Sequence, residues 1–557
     1  MELIKFFIIY NLILFSIIGY GNFFQNITFK KSEKNLGLIG IFGIFFLITY
    51  SYISHFFLSH NELHNLIILF IGLVLSFKTL YLLNKKELII FYLNFSVLFI
   101  GLIIFKTHDD FPYYHFPYSY YLTQNPLIIG IGQLNHGFRT PSSIFYLNSL
   151  YYLPLLKYYT FYIPTLLVLG FSNLIFFNLV SKYKNLKKDY IYFLSLLFVI
   201  FFNIFFYRIQ EHGTDRSAQI LISVFFIYLF IFIQFNHDYK NFYKIILILL
   251  GLIVSLKAFY VLYFIFIIPI IWILVLEKKI VFLKNIFKDK ITYIFLIFLI
   301  LIFLTYFFNT GCFIYPVSFT CLDYLDWSIG SESTKRLQIH YELWSKAGKT
   351  PNFVIDNPNL YLNKFNWLPN WLDFYFFNKV SDFILGIIFL SLIIVCFFYT
   401  KKKKIYLNQK NHFKNILIIY IFIILLTLEW FFNHPSLRYG GYILITLLIF
   451  VPLSLFLEKF NLSHKESKKR ITLLICLTAL IFLSRNINRI NDEINKYNYD
   501  PISNPKYRLD KQHFRIQEKL NAMIENFIIC KSNELICDKD KSKKVKELYN
   551  NKYILIK

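Results

Sequence analysis

The segment ITYIFLIFLILIFLTYFF, residues 291–308, places eighteen residues in a row without a single charged side chain. An α-helix of about 20 residues spans roughly 30 Å, which is the thickness of the hydrocarbon core of a bilayer. Similar apolar segments recur throughout the 557 residues, of which 57% are hydrophobic and only 16% are charged. The sequence therefore predicts an all-α, polytopic integral membrane protein and excludes an ordinary soluble globular one.

Apolar segments alternate with clusters of lysine and arginine along most of the chain. They cover about residues 4–20, 36–58, 64–83, 88–106, 159–180, 189–207, 217–235, 243–276, 291–308, 381–400, 415–432, 440–457 and 471–485. Segment 243–276 has basic loops at both ends, so it must cross an even number of times and predicts a hairpin that turns near Lys257. We therefore expect about 13 or 14 transmembrane helices.

Basic loops set the predicted orientation, because short loops rich in lysine and arginine stay in the cytoplasm. These loops lie near residue 32 and at 84–87, 181–188, 277–290, 401–404 and 465–470. The alternation then places on the outer face the two large loops 107–158 and 309–380, together with 208–216, Lys257 and 433–441. Polar groups that a chain keeps at one membrane face predict one shared site.

The chain divides into a membrane domain at residues 1–485 and a soluble C-terminal tail at 486–557, for which we expect short helices. Most of the lysines behind the net charge of +26 lie in the predicted inner loops and in the tail. Contact with anionic lipids of the inner leaflet explains this charge. Membrane lipids, and no nucleic acid, are therefore the expected partners.

Four cysteines fall in segments predicted to be outside and form two close pairs, Cys312 with Cys321 and Cys530 with Cys537. Such spacings permit small disulfide-closed rings in an oxidising compartment. We expect Cys312 to pair with Cys321, and free thiols are the alternative. The two other cysteines lie within apolar segments and are expected to be packing residues.

Two adjacent carboxylates, Asp109 and Asp110, lie in KTHDDFPYYHFPYSYYL, residues 106–122, directly after an apolar segment. Pro112 suits the first turn of a helix, so one acid can cap that helix while its neighbour faces a cavity. The aromatic residues that follow, with His115 among them, predict a helix lying at headgroup depth. A lipid headgroup and a water-soluble molecule can both reach acids held there.

The outer turn RIQEHGTDR, residues 208–216, is dense in chemically capable side chains. Arg208 and Arg216 are candidate ligands of a phosphate group, since arginine offers bidentate geometry. The alternative is that they pair with Glu211 and Asp215 at helix ends.

The same turn can take part in a metal site, because hard cations prefer carboxylate oxygens. The candidate ligands are Glu211, His212 and Asp215 with Asp109 or Asp110. A hydrogen-bonded structural histidine is the alternative for His212.

Two later outer segments add further candidates. Lys257 and Arg438 are cations that can meet a phosphate, or they simply anchor the ends of their helices. Tyr439 follows Arg438 directly. Trp327 belongs to a loop with four tryptophans, whose flat rings can stack on a sugar or form an interfacial aromatic belt.

The arrangement of these features resembles the GT-C superfamily of integral membrane glycosyltransferases. The resemblance depends on the acid pair, the interfacial helix in the first large outer loop, the late loop 309–380 and a basic residue at a late outer helix end, here Arg438. The stretch GCFIYP, residues 311–316, is similar to a Gly-x-x-x-Tyr-Pro stretch of bacterial membrane proteins from surface-polysaccharide gene clusters. One departure is that the acids follow the fourth apolar segment instead of the first.

The resemblance implies a GT-C-like fold in a bacterial inner membrane, with the site facing the periplasm or the exterior. It implies transfer of a sugar from a polyprenyl-phosphate donor to a cell-surface glycan or lipid acceptor. Asp109 or Asp110 would be the general base, and we favour Asp109 because Asp110 is closer to Pro112 and is the better cap. The expected donor-phosphate ligands are Arg438, Lys257, Arg216 and Arg208, and the expected acceptor-binding residues are His115, Glu211, His212, Asp215, Trp327 and Tyr439. A divalent cation is the one candidate cofactor.

Two other functions stay open from the sequence. A polysaccharide polymerase or ligase also acts on lipid-linked glycans, but uses arginines more than a carboxylate base. A lipid-linked-glycan flippase or other transporter places charges and broken helices near the membrane centre, often in two repeated halves. The acid pair, and the polar motifs on one face, favour the glycosyltransferase.

Overall fold

The computed structural model describes residues 2–29, 35–81, 84–104, 106–183, 189–234, 239–276, 279, 282, 285–350, 352–400, 410–460, 464–505, 544–549 and 552–556. Most of these residues are helical. The main helices, in chain order, are Glu2–Thr28, Leu36–His55, Glu62–Tyr81, Lys85–Phe99, Ile163–Tyr183, Asp189–Phe205, Gly213–Gln234, Tyr239–Leu256, Ile267–Leu276, Lys290–Thr310, Ser381–Phe398, Lys410–Asn433, Gly441–Leu457 and His464–Tyr497.

Nine helical stretches in the described ranges are long and apolar enough to cross a bilayer. Peripheral helices expose large apolar side chains, as Leu385, Phe389 and Leu392 do at 64%, 66% and 58%. A surface of this kind is stable against lipid and unfavourable in water. The chain is therefore an all-α polytopic membrane protein, as the sequence predicts. The finer count of 13 or 14 crossings and the orientation stay predictions, because the length and composition of the helices determine neither.

One helix, Gly213–Gln234, is the core of the membrane domain. Every residue from 217 to 234 is buried. The neighbouring helices Ile163–Tyr183, Asp189–Phe205 and Tyr239–Leu256 pack around it. Its first turn carries Asp215, so a carboxylate lies at the end of an otherwise apolar core.

The helix is interrupted at Lys257, near which the sequence predicts the turn of a hairpin. The helix Tyr239–Leu256 ends there, Lys257 itself is extended, and a 3-10 helix, Ala258–Phe266, begins on the other side. The hydroxyl of Ser142 donates to the carbonyl of Leu256 at 2.6 Å and fixes the end of the helix. The break presents the Lys257 side chain beside the start of the core helix.

The loops 107–158 and 309–380, which the sequence predicts to lie outside, contain ordered short elements and the predicted disulfide. Cys312 and Cys321 are bonded to each other, which confirms that pairing. The helix predicted after the acid pair forms at Phe116–Gln124. Its rings, however, are not at a surface: Tyr118 and Tyr121 are buried. The interfacial prediction is wrong for these rings, because packing partners inside the protein, including the hydroxyl of Tyr146, take the place of lipid headgroups.

The tail is described at residues 486–505, 544–549 and 552–556, where it continues a long helix and ends in two strands, and the short helices expected in the rest of it stay a prediction. The predicted boundary at residue 485 falls inside the helix His464–Tyr497. Near the C-terminus two strands, Lys544–Tyr549 and Lys552–Ile556, pair antiparallel, and the second pairs parallel with Ile128–Ile129 of the first outer loop. Residues 506–543, with the predicted pair Cys530 and Cys537, lie outside the described part of the chain.

Candidate functional site

The carboxylate of Asp110 lies at the start of a wide, π-helical turn, Phe111–His115. Its Oδ2 accepts a hydrogen bond from Arg438 Nη2 at 2.7 Å and a longer one from the Tyr114 hydroxyl at 3.3 Å. The backbone carbonyl of Asp110, not its side chain, accepts N–H groups of the turn. The carboxylate is therefore available for contacts outside its own helix.

Asp109, the acid favoured from the sequence, is exposed, and the ion pairs of this turn within the described residues involve Asp110 instead. Asp109 was favoured on the premise that Asp110 caps the helix, and that premise is wrong because the Asp110 side chain makes no capping bond. The physical reason is that Arg438 competes with the backbone amides for the Asp110 carboxylate. A guanidinium offers a carboxylate a stronger, charge-assisted hydrogen bond than a backbone amide does.

Arg438 joins Asp110 to a second carboxylate. Its Nε donates to Asp215 Oδ2 at 2.9 Å while its Nη2 donates to Asp110, so one guanidinium spans two acids. Lys257 Nζ donates to the other oxygen of Asp215. We call these four residues, Asp110, Asp215, Lys257 and Arg438, the central cluster. The sequence predicts that Asp109 or Asp110 lines an outward-opening cavity and lies near Lys257, Arg216 or Arg438. The ion pair of Asp110 with Arg438 confirms the contact, and the cavity stays a prediction.

Burial within the central cluster is graded. The exposed fraction of the side chain is 6% for Asp215 and 23% for Lys257, but 30% for Asp110 and 45% for Arg438. The inner pair thus holds the core helix to the break at Lys257. The outer pair is the part that a ligand can reach.

Gln219 positions the arginine. It lies one turn after Asp215 on the core helix, and its amide nitrogen donates to the carbonyls of Leu437 and Arg438 at 3.3 and 3.2 Å. Gly440 ends the short turn that carries Arg438 with a φ of +103°, a conformation that a residue with a Cβ rarely adopts. Sequence reasoning missed Gln219, although its i+4 spacing from Asp215 puts both side chains on one helix face.

Two histidines pack against the central cluster. His108 and His115 stack with ring centroids 5.3 Å apart, and Nδ1 of His108 accepts the backbone N–H of Asp110 at 3.1 Å. A Cβ on Gly213 would lie 3.1 Å from His115, so this glycine lets the rings approach the core helix. Burial lowers the pKa of His115 to about 3 and also lowers the pKa of His108. Both rings are therefore neutral at ordinary pH.

The charge on Asp110 is controlled by its partners. Burial on its own raises the pKa of the Asp110 carboxyl, but the charge and the hydrogen bond of the Arg438 guanidinium lower it. The net pKa lies below the ordinary value, so the carboxylate is ionised at neutral pH. While it is paired with Arg438 it is a weak base.

His108, Asp110 and His115 could hold a metal ion, because one potential ligand atom from each lies within 4.8 Å of the others. Sequence reasoning missed His108, although it lies two positions before Asp110. Bound cations must compete here with Arg438, which already occupies Asp110, and with Lys257. Because Lys257 and Arg438 already neutralise the two carboxylates, a metal ion could bind here only by displacing an ion pair.

The metal ligands predicted from the sequence have other partners. Glu211 pairs with Arg208 and with Arg489, at 3.4 and 2.7 Å. His212 is buried, and its Nε2 lies 2.6 Å from the carbonyl of Phe206. Asp215 holds the two cations of the central cluster, as described above. The predicted set of Asp109, Glu211 and Asp215 is thus divided among separate contacts.

The remaining sequence candidates fall in three places. Tyr439 packs against the central cluster, with Lys257 Nζ 4.6 Å from its ring centroid. Arg216 lies over the ring of Phe206, at 5.5 Å. Trp327 packs against Phe307 in the late outer loop, and its indole N–H donates to that residue's carbonyl. A part for Trp327 in sugar stacking stays a prediction.

Together, the fold and the central cluster define a polytopic membrane protein with an ion-paired site at the ends of several helices. The chain matches a family described as Domain of unknown function (DUF8201) over residues 3–445, and it belongs to that family. The match includes all four residues of the central cluster. Comparisons with curated proteins and with solved structures found no match.

Proposed function

We propose that this protein is a GT-C-like glycosyltransferase that moves a sugar from a polyprenyl-phosphate donor to a glycan or lipid acceptor. The proposal places it in a bacterial inner membrane with the central cluster facing the periplasm or exterior. One observation carries it: Asp110 shares Arg438 with a buried acid–lysine pair, in the part of the cluster that is reachable from outside.

Asp110 is the proposed general base. Its carboxylate takes the proton of the acceptor hydroxyl as that oxygen attacks the anomeric carbon of the sugar. The bond from the anomeric carbon to the phosphate oxygen breaks, and the phosphate leaves with the electron pair. Arg438 and Lys257 offset the negative charge that develops on the leaving phosphate. The proton on Asp110 then passes to water.

Arg438 couples donor binding to the strength of the base. Without donor, its guanidinium lowers the pKa of Asp110, against the opposing effect of burial. A bound phosphate competes for the same N–H groups and weakens the contact with Asp110. The carboxylate becomes a stronger base only when the donor is in place, which limits unproductive proton uptake.

Five further residues remain expected contacts of the donor or the acceptor, and the structure supports some more than others: His115, Glu211, His212, Trp327 and Tyr439. Tyr439 is the strongest of them, because it lies against Lys257. Glu211 and His212 hold the outer turn together through Arg208 and the carbonyl of Phe206. We assign them a positioning role. No step is routed through a metal ion.

A transporter is the second candidate, and the break at Lys257 is the observation that favours it. Transporters use discontinuous helices with charged side chains at the interruption. Lys257 interrupts a continuous apolar segment and forms an ion pair with Asp215. In that reading the central cluster is a gate for a lipid-linked glycan, and Asp110 has no part in bond making.

The test replaces the two adjacent acids separately. We expect Asp110→Asn to lower sugar transfer by about two orders of magnitude, the usual scale of general-base catalysis. The matched control is Asp109→Asn, one residue away and exposed, which should stay within about twofold of wild type. Purified protein in vesicles is given a panel of radiolabelled polyprenyl-phosphate monosaccharides, and release of the polyprenyl phosphate is measured.

Three outcomes are distinguishable. Loss of transfer in Asp110→Asn alone supports the assignment. Equal, wild-type transfer by both variants removes Asp110 as the base and favours a polymerase or ligase that depends on arginine. Translocation of a lipid-linked glycan without turnover of any donor by the wild-type protein favours the transporter.

A further inference from the structure

Three arginines surround one tyrosine at the end of the last long helix. The guanidinium carbons of Arg485, Arg208 and Arg489 lie 5.0, 5.5 and 5.9 Å from the ring centroid of Tyr207. Two of them belong to the helix His464–Tyr497, and the third begins the outer turn 208–216. We call Tyr207 and these three arginines the Tyr207 cluster. It shares that turn with the central cluster but uses different side chains.

Positive charge is in excess in the Tyr207 cluster. Glu211 accepts hydrogen bonds from Arg208 and Arg489, and Glu493 adds a second negative charge near Arg489. Three guanidiniums against two carboxylates leave one positive charge. Arg489 also has a buried Nη1 that meets no acceptor among the described residues. A buried guanidinium N–H without a partner is costly unless an anion completes it.

The rule that basic loops stay in the cytoplasm does not explain the excess positive charge of the Tyr207 cluster. The helix His464–Tyr497 has basic residues at both ends, 468–470 before its apolar part and Arg485 and Arg489 after it. Only one end of a spanning helix can lie in the cytoplasm, where basic residues determine orientation. The second set therefore needs another explanation, and an anionic ligand supplies one.

Such an anionic ligand can reach the arginines from the lipid bilayer. Arg485 is exposed, and apolar side chains exposed on the preceding two turns include Leu477, Leu480 and Ile481, at 41%, 60% and 36%. Such a surface contacts acyl chains. An anion that reaches the arginines along it must carry a hydrocarbon tail, as an anionic lipid does.

We propose that Arg208, Arg485 and Arg489 bind the phosphate group of an anionic membrane phospholipid, with its acyl chains along the helix His464–Tyr497. Arginine suits this ligand, because its planar fork matches phosphate oxygens bidentately. The site is separate from the central cluster and does not depend on the proposed transfer reaction. A polyprenyl phosphate carries the same chemistry, so the test must distinguish the two lipids.

The experiment measures lipid retention by native mass spectrometry of the full-length protein in detergent. Short-chain phosphatidylglycerol, phosphatidylcholine and farnesyl phosphate are added at equal concentration. We expect wild type to retain phosphatidylglycerol over the other two. Arg485→Gln should lower that retention several-fold and Arg485→Gln/Arg489→Gln about tenfold or more, the scale of lost hydrogen bonds to a charged group.

Controls separate binding from folding. Arg336→Gln removes an arginine whose side chain is 76% exposed in the late outer loop, and it should leave retention unchanged. Arg485→Gln removes only one described hydrogen bond, to the carbonyl of Ile204, so it should fold even if the double variant does not. The proposal is overturned if Arg485→Gln retains phosphatidylglycerol as wild type does, if wild type does not distinguish it from phosphatidylcholine, or if farnesyl phosphate is preferred.

Discussion

The central cluster and the Tyr207 cluster, which share the turn 208–216, differ in their charge balance and in their surroundings. The central cluster contains two carboxylates and two cations, and its most buried side chain is that of Asp215, which is 6% exposed. The Tyr207 cluster has more arginine than acid and lies beside an apolar surface. Balanced charges can be buried and can hold helices together, whereas an excess of one sign requires a ligand or water.

The comparison also separates two roles that the sequence had combined. Arg208 and Arg438 were both expected at one donor phosphate, but Arg208 pairs with Glu211 and Arg438 with Asp110 and Asp215. The family match at residues 3–445 contains the central cluster and ends before Arg485 and Arg489. The proposed lipid site therefore takes two of its three arginines from beyond the family match.

The largest effect is expected from Arg438→Gln, which removes the cation shared by both acids. Transfer should fall by about 10² to 10³, the range seen when a group that stabilises developing charge is lost. Since Arg438 lowers the pKa of Asp110, its removal raises that pKa. The acid limb of the pH–rate profile should then move to higher pH. Arg438→Lys, which keeps a charge, should shift it less. An unchanged limb in Arg438→Gln would separate Asp110 from the reaction.

The next effect concerns stability. Asp215→Asn leaves Lys257 and Arg438 without their buried carboxylate and should lower the free energy of unfolding by about 3 kcal/mol. Denaturant unfolding in micelles measures it. Glu332→Gln is the control, since it breaks an ion pair whose side chains are 76% and 79% exposed and should cost less than about 1 kcal/mol. Equal losses in the two variants would mean that burial of the central cluster has no energetic importance.

A smaller loss is expected at the turn that carries Arg438. Gly440→Ala places a Cβ on a backbone with φ of +103° and should cost roughly 1–2 kcal/mol. The nearest atom to that Cβ is 3.5 Å away, so the cost comes from the backbone and not from a clash. Gly440→Asn should lose less, because asparagine tolerates this region better. Thermal unfolding of the three proteins gives the order, and a Gly440→Asn protein less stable than Gly440→Ala would contradict it.

The smallest expected effect on stability concerns the Tyr207 cluster. Glu211→Gln removes a carboxylate that pairs with two arginines of the Tyr207 cluster and so increases the excess positive charge there. Stability should fall by only about 1 kcal/mol, because Arg208 is partly exposed and can reach water, while Arg489 keeps Glu493 nearby and glutamine keeps an oxygen that can accept its N–H. Retention of short-chain phosphatidylglycerol should rise. Native mass spectrometry checks the rise, and a fall would show that Glu211 organises the arginines more than it neutralises them.

Local patterns predicted much of the fold. The apolar segments became helices, the break at Lys257 is present, and Cys312 bonds to Cys321. Each depends on residues close together in the chain: the length of an apolar run, the polar residue within it, or a short ring. The strand Lys552–Ile556 was not predicted, because its partner Ile128–Ile129 is more than 400 positions away.

The sequence by itself determined that this chain is a helical membrane protein with its chemically capable residues in a few polar segments. Only the tertiary structure decided which of them meet. Asp110 and Arg438 are 328 positions apart, and Asp215 and Arg438 are 223 apart. No periodicity links residues at such distances, so sequence reasoning had to choose between Asp109 and Asp110 on a capping argument. The packing of four chain segments instead determines the contacts of the two acids, because it brings a guanidinium to Asp110 and leaves Asp109 exposed.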